Sequence, residues 1–216
     1  PQAEAGACAS PPIRVQPGAS FARNGALLLE VAPEDRELLN ASLGRMRLLG
    51  DGVSVPLVVR RRLEGDFLEV VVAPASPLPP RASLWLSLGD PESDRRFRQM
   101  PVTTTDAVDE GVPRWLAPPK VLKHTDDSAK GARYDVWSVR VLVASASHVW
   151  AAIESQDGVA TAQVEAIRGD VVEIGTKTCF GVGKKLGGVG PWRVTLTAIG
   201  ADGRESAAPG PPVVFR

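Results

Sequence analysis

The stretch Pro191-Trp192-Arg193-Val194-Thr195-Leu196-Thr197-Ala198 decides the fold class of this chain, because apolar and polar residues alternate along it with a period of two. An Asp202-Gly203 pair follows, and the chain then runs through Val213-Val214-Phe215. Alternation on both sides of an Asp-Gly pair is the strongest short-range signal for a β-hairpin. The sequence therefore predicts an antiparallel hairpin at this end of the chain.

The same alternation recurs in both halves of the chain and predicts an all-β protein of two tandem Ig-like β-sandwich domains. Each half offers about seven short strands, with turn signals every 8–12 residues or so, which is typical of a sandwich. The clearest predicted strands are Leu27–Val31, Val53–Arg62, Leu68–Val72, Leu84–Leu88, Trp137–Val143, Val149–Ile153, Ala160–Ala166 and Val171–Ile174. Arg96–Thr104 is predicted as the closing strand of the first half.

Segments without alternation divide the chain into domains. We predict a flexible N-terminal segment over 1–10, a first sandwich over 11–104, a linker over 105–117 and a second sandwich over 118–216. The 216 residues leave room for two domains of about 100 residues each. Inside the first sandwich, proline and acidic residues precede two leucines at Pro33–Leu43, which predicts one short helical turn.

Charge and hydropathy exclude two classes of partner. The chain carries 25 basic and 25 acidic residues, so it lacks the broad basic field that nucleic-acid binding requires. No apolar run approaches the roughly 20 residues that span a bilayer, and no transmembrane segment is predicted. The sequence begins at Pro1 rather than Met, as it would after removal of a signal peptide or at an arbitrary boundary. We expect an exported protein of the periplasm, the outer surface or the extracellular space.

The two cysteines, Cys8 and Cys179, offer no metal-ligand spacing. In an exported protein one disulfide between them would fasten the N-terminal segment across the molecule. Two free thiols, or pairing with another chain, are the alternatives.

Signatures of catalysis and of metal binding are missing from the sequence. His124 and His148 are the only histidines, and there is no G-x-S-x-G nucleophile elbow. The glycine-rich stretch Gly181–Gly188 lacks the phosphate-loop spacing, and the acids around Asp126 lack the fixed spacing of a calcium loop. We expect no enzymatic activity, no metal and no cofactor.

Four side chains are candidate binding residues: Trp85, Trp115, Arg60 and Arg62. Trp85 falls on the serine face of its strand and Trp115 in the predicted linker, and a large exposed ring often marks a contact surface. These rings either pack the two domains together or bind a ligand or partner. Strand alternation puts Arg60 and Arg62 on one side and Arg61 on the other, for cross-strand charge pairs or for an anion or glycan contact.

The other tryptophans are predicted to be buried. Trp137 and Trp192 fall on apolar faces and belong to the core, and Trp150 is expected to lie beside the facing sheet.

Residues 11–104 resemble a bacterial Ig-like domain of the S-layer-protein type. The matching features are Val15-Gln16-Pro17-Gly18-Ala19, the Asn24-Gly25-Ala26 entry to an apolar strand, the Leu68–Pro74 strand, and Pro77-Leu78-Pro79 ahead of Leu84-Trp85-Leu86. The closing Ala198–Ser206 segment is similar to the end of a fibronectin type III or related Ig-like module. The resemblance implies linked sandwiches in an exported envelope protein, with no catalytic residues to transfer. The Cys…Trp…Cys spacing of true immunoglobulin domains is missing.

The sequence thus predicts a non-enzymatic interaction or structural module of the bacterial cell envelope or exterior. Its partner is expected to be a protein or a cell-surface glycan. Two alternatives remain open: a carbohydrate-binding module that stacks sugars on exposed tryptophans, and a periplasmic chaperone built from two Ig-like domains.

Overall fold

The structure is a computed structural model that describes residues 13–17, 21–50, 52–64, 68–98, 101–108, 111–129, 132–179, 182–200 and 202–216. Strands account for 55% of the residues and form antiparallel sheets, which confirms the prediction of an all-β protein. None of the described helices is long or apolar enough to cross a membrane.

The first half of the chain forms one seven-stranded sheet with two short helices. Its elements are β1 (Ile13–Pro17), β2 (Leu27–Val31), a 3₁₀ turn (Pro33–Asp35), α1 (Arg36–Ser42), β3 (Arg47–Gly50), β4 (Val53–Glu64), β5 (Leu68–Pro74), β6 (Ser83–Ser87), α2 (Pro91–Phe97) and β7 (Val102–Thr103). The strand order is β1-β2-β5-β4-β3-β6-β7. The helical turn predicted at Pro33–Leu43 is confirmed by the 3₁₀ turn and α1.

Strand β4 connects two parts of the first-half sheet, one formed by β1, β2 and β5 and the other by β3, β6 and β7. Its first residues pair with β3, and its later residues pair with β5. The sheet can therefore fold over on itself and enclose a core between its two parts. That core contains Leu27, Leu29, Leu48, Val70, Val72, Leu84 and Leu86, among others.

The closing strand predicted at Arg96–Thr104 is wrong over most of its length. Helix α2 ends at Phe97, and among the described residues of this segment only Val102–Thr103 pairs with β6. Pro91 supplies a favourable first helical position. Asp94 then accepts hydrogen bonds from the Leu88 backbone N–H and the Ser87 hydroxyl, which fixes the helix against β6.

The second half of the chain is a two-sheet sandwich. Its elements are β8 (Arg114–Trp115), β9 (Lys120–Ala129), β10 (Ala132–Arg140), β11 (Val143–Ala144), β12 (Ala146–Ser155), β13 (Ala160–Ala166), β14 (Val171–Cys179), β15 (Val182–Lys184), β16 (Trp192–Gly200) and β17 (Val213–Phe215). One four-stranded sheet has the order β15-β14-β10-β9 and the other β13-β12-β16-β17. The core between them contains Trp137, Val139, Val149, Ile153, Ile174, Val194, Leu196 and Phe215, among others.

The antiparallel pairing predicted at the end of the chain is confirmed, but residues 201–212, and not the Asp-Gly pair alone, connect the two paired strands. Strands β16 and β17 pair antiparallel, with Trp192 opposite Phe215. The turn at Asp202-Gly203 is closed by a hydrogen bond from the Gly203 N–H to the Gly200 carbonyl. Gly203 has a φ of 82°, a conformation that glycine adopts without steric cost.

Strands β8 and β9, like β3 and β15, lie where no strand was expected. Strand β9 reads KVLKHTDDSA, and its polar sequence reflects its position at the outer edge of its sheet. Strand β8 lies inside the predicted linker, where Arg114 and Trp115 pair with Ala144 and Val143 of β11. The two-residue strands of this small sheet are too short to show any alternation.

Gln163 joins the two sheets of the second half along one edge. Its side-chain amide donates a 2.8 Å hydrogen bond to the Gly175 carbonyl and accepts a 3.1 Å bond from the Gly175 N–H. The side chain of a β13 residue thereby pairs with the backbone of β14 as a neighbouring strand would. Gln163 is only 1% exposed, so both bonds are shielded from water.

Candidate functional site

The four predicted binding residues do not converge on one site. Trp85 is half-buried against the first core, and the Arg98 guanidinium lies 4.6 Å from its ring centroid. Trp115 packs against the second core, and its indole N–H finds no acceptor among the described residues. Neither ring belongs to the apolar cluster that connects the two halves.

The arginines point to different surroundings. Arg62 donates hydrogen bonds to Glu64 and to Asn40 of α1. The stem of Arg60 lies against Gly203, where an added Cβ would come within 2.4 Å of the Arg60 Cγ. Charge pairing is thus observed for Arg62, although its partner lies two residues along the same strand.

A β-bulge in β4 redirects the residues that follow it. The register with β5 shifts between Val59 and Arg61, so Val59 lies opposite Val72 and Arg61 opposite Val71. Before the bulge, alternate residues of β4 face the first core; after it, Leu63 packs on the opposite side of the sheet. An extra residue in one strand reverses the alternation of everything beyond it. The simple alternation assumed for the three arginines therefore fails here.

The two halves meet across an apolar patch, which we call the inter-half interface. Its first-half members are Ala26, which directly precedes β2, and residues on the outward faces of β2 and β5; its second-half members come from β13 and β16. They are Ala26, Leu28, Val71, Ala73, Val164 and Ile199, all at most 1% exposed, with Leu63 and Trp150 packed beside them. Strands β2 and β5 therefore bury both their faces, one on the first core and one on the second half.

A buried cluster of charges lies beside this patch. The Lys184 ammonium is 2.5 Å from a carboxylate oxygen of Glu30, 2.5 Å from one of Glu69 and 2.9 Å from one of Glu165. All four side chains are at most 9% exposed. Lys177 adds a second cation 3.2 Å from Glu165. Since Glu30 and Glu69 belong to the first half and Lys184 to the second, the ion pairs cross the interface.

Two side chains of the charge cluster also form hydrogen bonds with the backbone of an edge strand, β13. Glu69 accepts a 3.0 Å hydrogen bond from the Val164 N–H, and Lys184 donates a 2.7 Å bond to the Val164 carbonyl. Val164 lies on β13, at the edge of its sheet. Unpaired edge groups attract other strands, so these side chains protect this part of β13 from such pairing.

Burial and neighbouring charge perturb the pKa values of the cluster. Burial raises the pKa of Glu69 to about 7, although Lys184 opposes the shift. Burial also acts to raise the pKa of Glu165, but Lys184 and Lys177 outweigh it and hold that pKa below its usual value. For Lys184, burial is outweighed by Glu165, Glu69 and Glu30, so its pKa lies above its ordinary value. Lys184 is therefore charged at neutral pH. The pKa of Glu69 lies close to neutral pH, so its carboxyl titrates in that range.

A second contact crosses the interface at its margin. The Arg61 guanidinium lies over the Trp150 ring, 3.4 Å from the centroid, and forms an ion pair with Glu205. A cation over an indole face contributes about 0.5–2 kcal/mol, depending on its desolvation. Trp150 was expected beside the facing sheet of its own domain, and this expectation is wrong. The ring packs at the inter-half interface instead, whereas its neighbours Val149 and Ala151 face the second core.

His124 and Asp135 form a separate polar pair on β9 and β10. The His124 Nε2 is 2.7 Å from the Asp135 carboxylate, and Arg133 donates a 2.8 Å hydrogen bond to the same group. The His124 ring stacks on Trp137, with centroids 4.1 Å apart. The described residues contain no group of three or more His, Cys, Asp or Glu side chains placed to hold a metal ion.

The predicted disulfide stays a prediction. Cys8 lies outside the described residues, and only the backbone of Cys179 is described, at the end of β14 opposite Ala132.

Sequence reasoning missed the interface residues although a signal was present. Strand β2 reads LLLEV and is buried at every position, and β5 is buried at all seven. A strand that is apolar on both faces is covered on both faces. Glu30 and Glu69 interrupt these apolar strands, and a carboxylate there indicates a buried ionic partner.

Comparison with known proteins assigns no family. No family model matches the chain, and no curated protein matches it. A crystal structure of pullulanase type I from Bacillus subtilis str. 168, complexed with maltose, aligns with 93% of this chain at 13% identity and a TM-score of 0.28. The alignment covers 25% of the pullulanase chain. A similarity at this level carries no argument about fold or function.

Proposed function

We propose that this chain is a rigid pair of Ig-like β-sandwich modules that acts as a non-enzymatic structural or interaction element of an exported bacterial protein. The observation that supports it best is the buried charge cluster at the inter-half interface. Lys184 of the second half contacts Glu30 and Glu69 of the first, and each of these side chains is at most 9% exposed. Separating the halves would expose the apolar patch and break these ion pairs together.

Rigidity is what a spacer or presenting module requires, because two sandwiches joined by a loose linker would lose any fixed geometry between their surfaces. The Arg61 contacts with Trp150 and Glu205 add a second anchor at the margin of the interface. Two separated anchors oppose rotation about either one.

The carbohydrate-binding alternative gains no support from the surroundings of Trp85. Its ring packs partly on the first core, and Arg98 lies over it. A sugar that stacked on this ring would have to displace Arg98.

The chaperone alternative requires an open basic cleft between domains, whereas the inter-half interface is closed and lined by three carboxylates.

The test of rigidity is a distance measurement between the halves. Spin labels at Ser76 and Gln156, both exposed, in a chain with Cys8 and Cys179 replaced by serine, are expected to give one narrow distance distribution. The variant Ile199→Asp buries a charge in the apolar patch and is expected to broaden it. A broad or multiple distribution in the parent chain would contradict the proposal.

Two further measurements address activity and compartment. Turnover of ester, peptide or glycoside substrates at an ordinary enzymatic rate would overturn the non-enzymatic assignment. Recovery of the native protein from the cytoplasm rather than from the envelope or the medium would overturn the exported one.

A further inference from the structure

Strand β9 presents a long open edge. Among the described residues it pairs on one side only, with β10, and it is ten residues long, whereas a typical strand has about five or six. From Lys123 to Ser128 its side chains are exposed or half-exposed. The unused N–H and C=O groups of such an edge form a template for another strand.

The other described edges offer less. At β13, Glu69 and Lys184 already bind the Val164 backbone. Strands β7, β15 and β17 have only two or three residues each, and β1 has five and ends in a proline.

The residues along this edge are complementary to themselves when two copies pair antiparallel, and we call this segment, 123–127, the palindrome. The sequence from 123 to 127 is Lys-His-Thr-Asp-Asp, with Thr125 at its centre. Antiparallel pairing of two such strands about Thr125 puts each Lys123 opposite an Asp127 and each His124 opposite an Asp126. Opposite charges and Thr–Thr pairs at facing positions both stabilise antiparallel strands. A shift of two residues in either direction would instead place His124 or Asp126 against its own copy.

The bulge in the β9–β10 pair limits the contact to this palindrome. The register shifts where Ser138 pairs with Lys123 and Val139 with Val121, which leaves Leu122 as the extra residue. A bulge bends the strand locally and ends regular pairing. The straight part of the edge therefore begins at Lys123 and contains the five palindromic residues.

We propose that β9 pairs antiparallel with β9 of a second copy of this chain, centred on Thr125, so that two four-stranded sheets join into one of eight strands. A contact made by one strand is small, so the dimer is weak and depends on concentration. Its two exposed Lys123–Asp127 pairs make it sensitive to salt. This inference goes beyond the proposed function, because a monomeric chain would still be a rigid pair of modules.

The test is sedimentation velocity of the whole chain from about 10 µM to about 1 mM at low salt, a range that suits a weak interface. The wild-type sedimentation coefficient is expected to rise with concentration towards that of a dimer. Lys123→Asp and Asp127→Lys each place like charges opposite each other and are expected to stay monomeric. All these positions are exposed, so folding should be unaffected.

The decisive experiment mixes the two variants in equal amounts. In a dimer of one copy of each variant, position 123 of either chain again faces the opposite charge at position 127 of the other. The mixture is expected to regain the wild-type concentration dependence. Lys120→Asp carries the same charge change outside the palindrome and should associate as the wild type does. A wild type that is monomeric throughout, single variants that still dimerise, or a mixture that stays monomeric would each overturn the proposal. None of these outcomes bears on the distance between the two halves, so the two proposals fail separately.

Discussion

Replacing Glu69 by glutamine should change the way stability depends on pH. Glu69 is 4% exposed, and burial raises its pKa from 4.5 to about 7. Between these two values the folded protein binds a proton that the unfolded chain does not, so the free energy of unfolding falls as pH rises. The contribution is fully present below pH 4.5, decreases through about pH 7 and is lost above it.

The size of the effect follows from the shift. A change from 4.5 to about 7 corresponds to roughly 3 kcal/mol, at 1.36 kcal/mol per unit. Glutamine resembles the protonated carboxyl and can still accept the Val164 N–H bond. The variant should therefore match the wild type below pH 4.5, exceed its unfolding free energy by only about 1 kcal/mol at pH 5, and exceed it by roughly 3 kcal/mol near pH 8.

The assay is chemical denaturation at several pH values between 5 and 8, followed by tryptophan fluorescence, since the chain has five tryptophans. Other groups titrate in this range, so the difference between variant and wild type is the informative quantity. Glu64→Gln, at a side chain that is 64% exposed, is the matched control and should give a constant difference. A Glu69→Gln difference that is also constant from pH 5 to 8 would refute the reasoning.

Three further predictions concern stability and covalent structure. Lys184→Met leaves Glu30, Glu69 and Glu165 without their shared cation and should destabilise the protein by about 3–5 kcal/mol. The melting temperature should fall accordingly, whereas the control Lys123→Met, at an exposed position, should leave it unchanged. Gln163→Leu leaves the Gly175 N–H and carbonyl without their side-chain partner and should cost about 1–3 kcal/mol, and a variant as stable as the wild type in denaturant would show that the bridge is dispensable. If Cys8 and Cys179 are bridged, the intact mass rises by about 2 Da on reduction, and an unchanged mass excludes the bridge.

Much of the strand structure could be predicted because alternation is a local property. The predicted strands around Leu27–Val31, Leu68–Val72 and Ala160–Ala166 correspond to β2, β5 and β13. Helix α2 was missed because Pro91 and the acids after it were not used as a helix start. Strand β9 was missed because an exposed edge strand carries few apolar residues to alternate.

The candidate site was harder to predict from the sequence than the strands, because every part of it depends on contacts between distant segments. Arg61 and Trp150 are 89 positions apart in the numbering, and only the tertiary structure brings them to 3.4 Å. The bulge after Val59 cannot be read from alternation, because the inserted residue is itself what breaks the pattern. The sequence indicates exposed rings at Trp85 and Trp115, whereas in the structure each ring packs partly against one of the two cores.

The sequence by itself determined that this protein is built from antiparallel strands and ends in a hairpin, because side chains in a strand alternate between two faces whatever surrounds them. Only the tertiary structure decided that the outer face of β2 and β5 is covered by the second half, and that Lys184 gathers three carboxylates there. The physical reason is that burial and charge pairing depend on what lies across a surface, and the covering segment is remote in the chain.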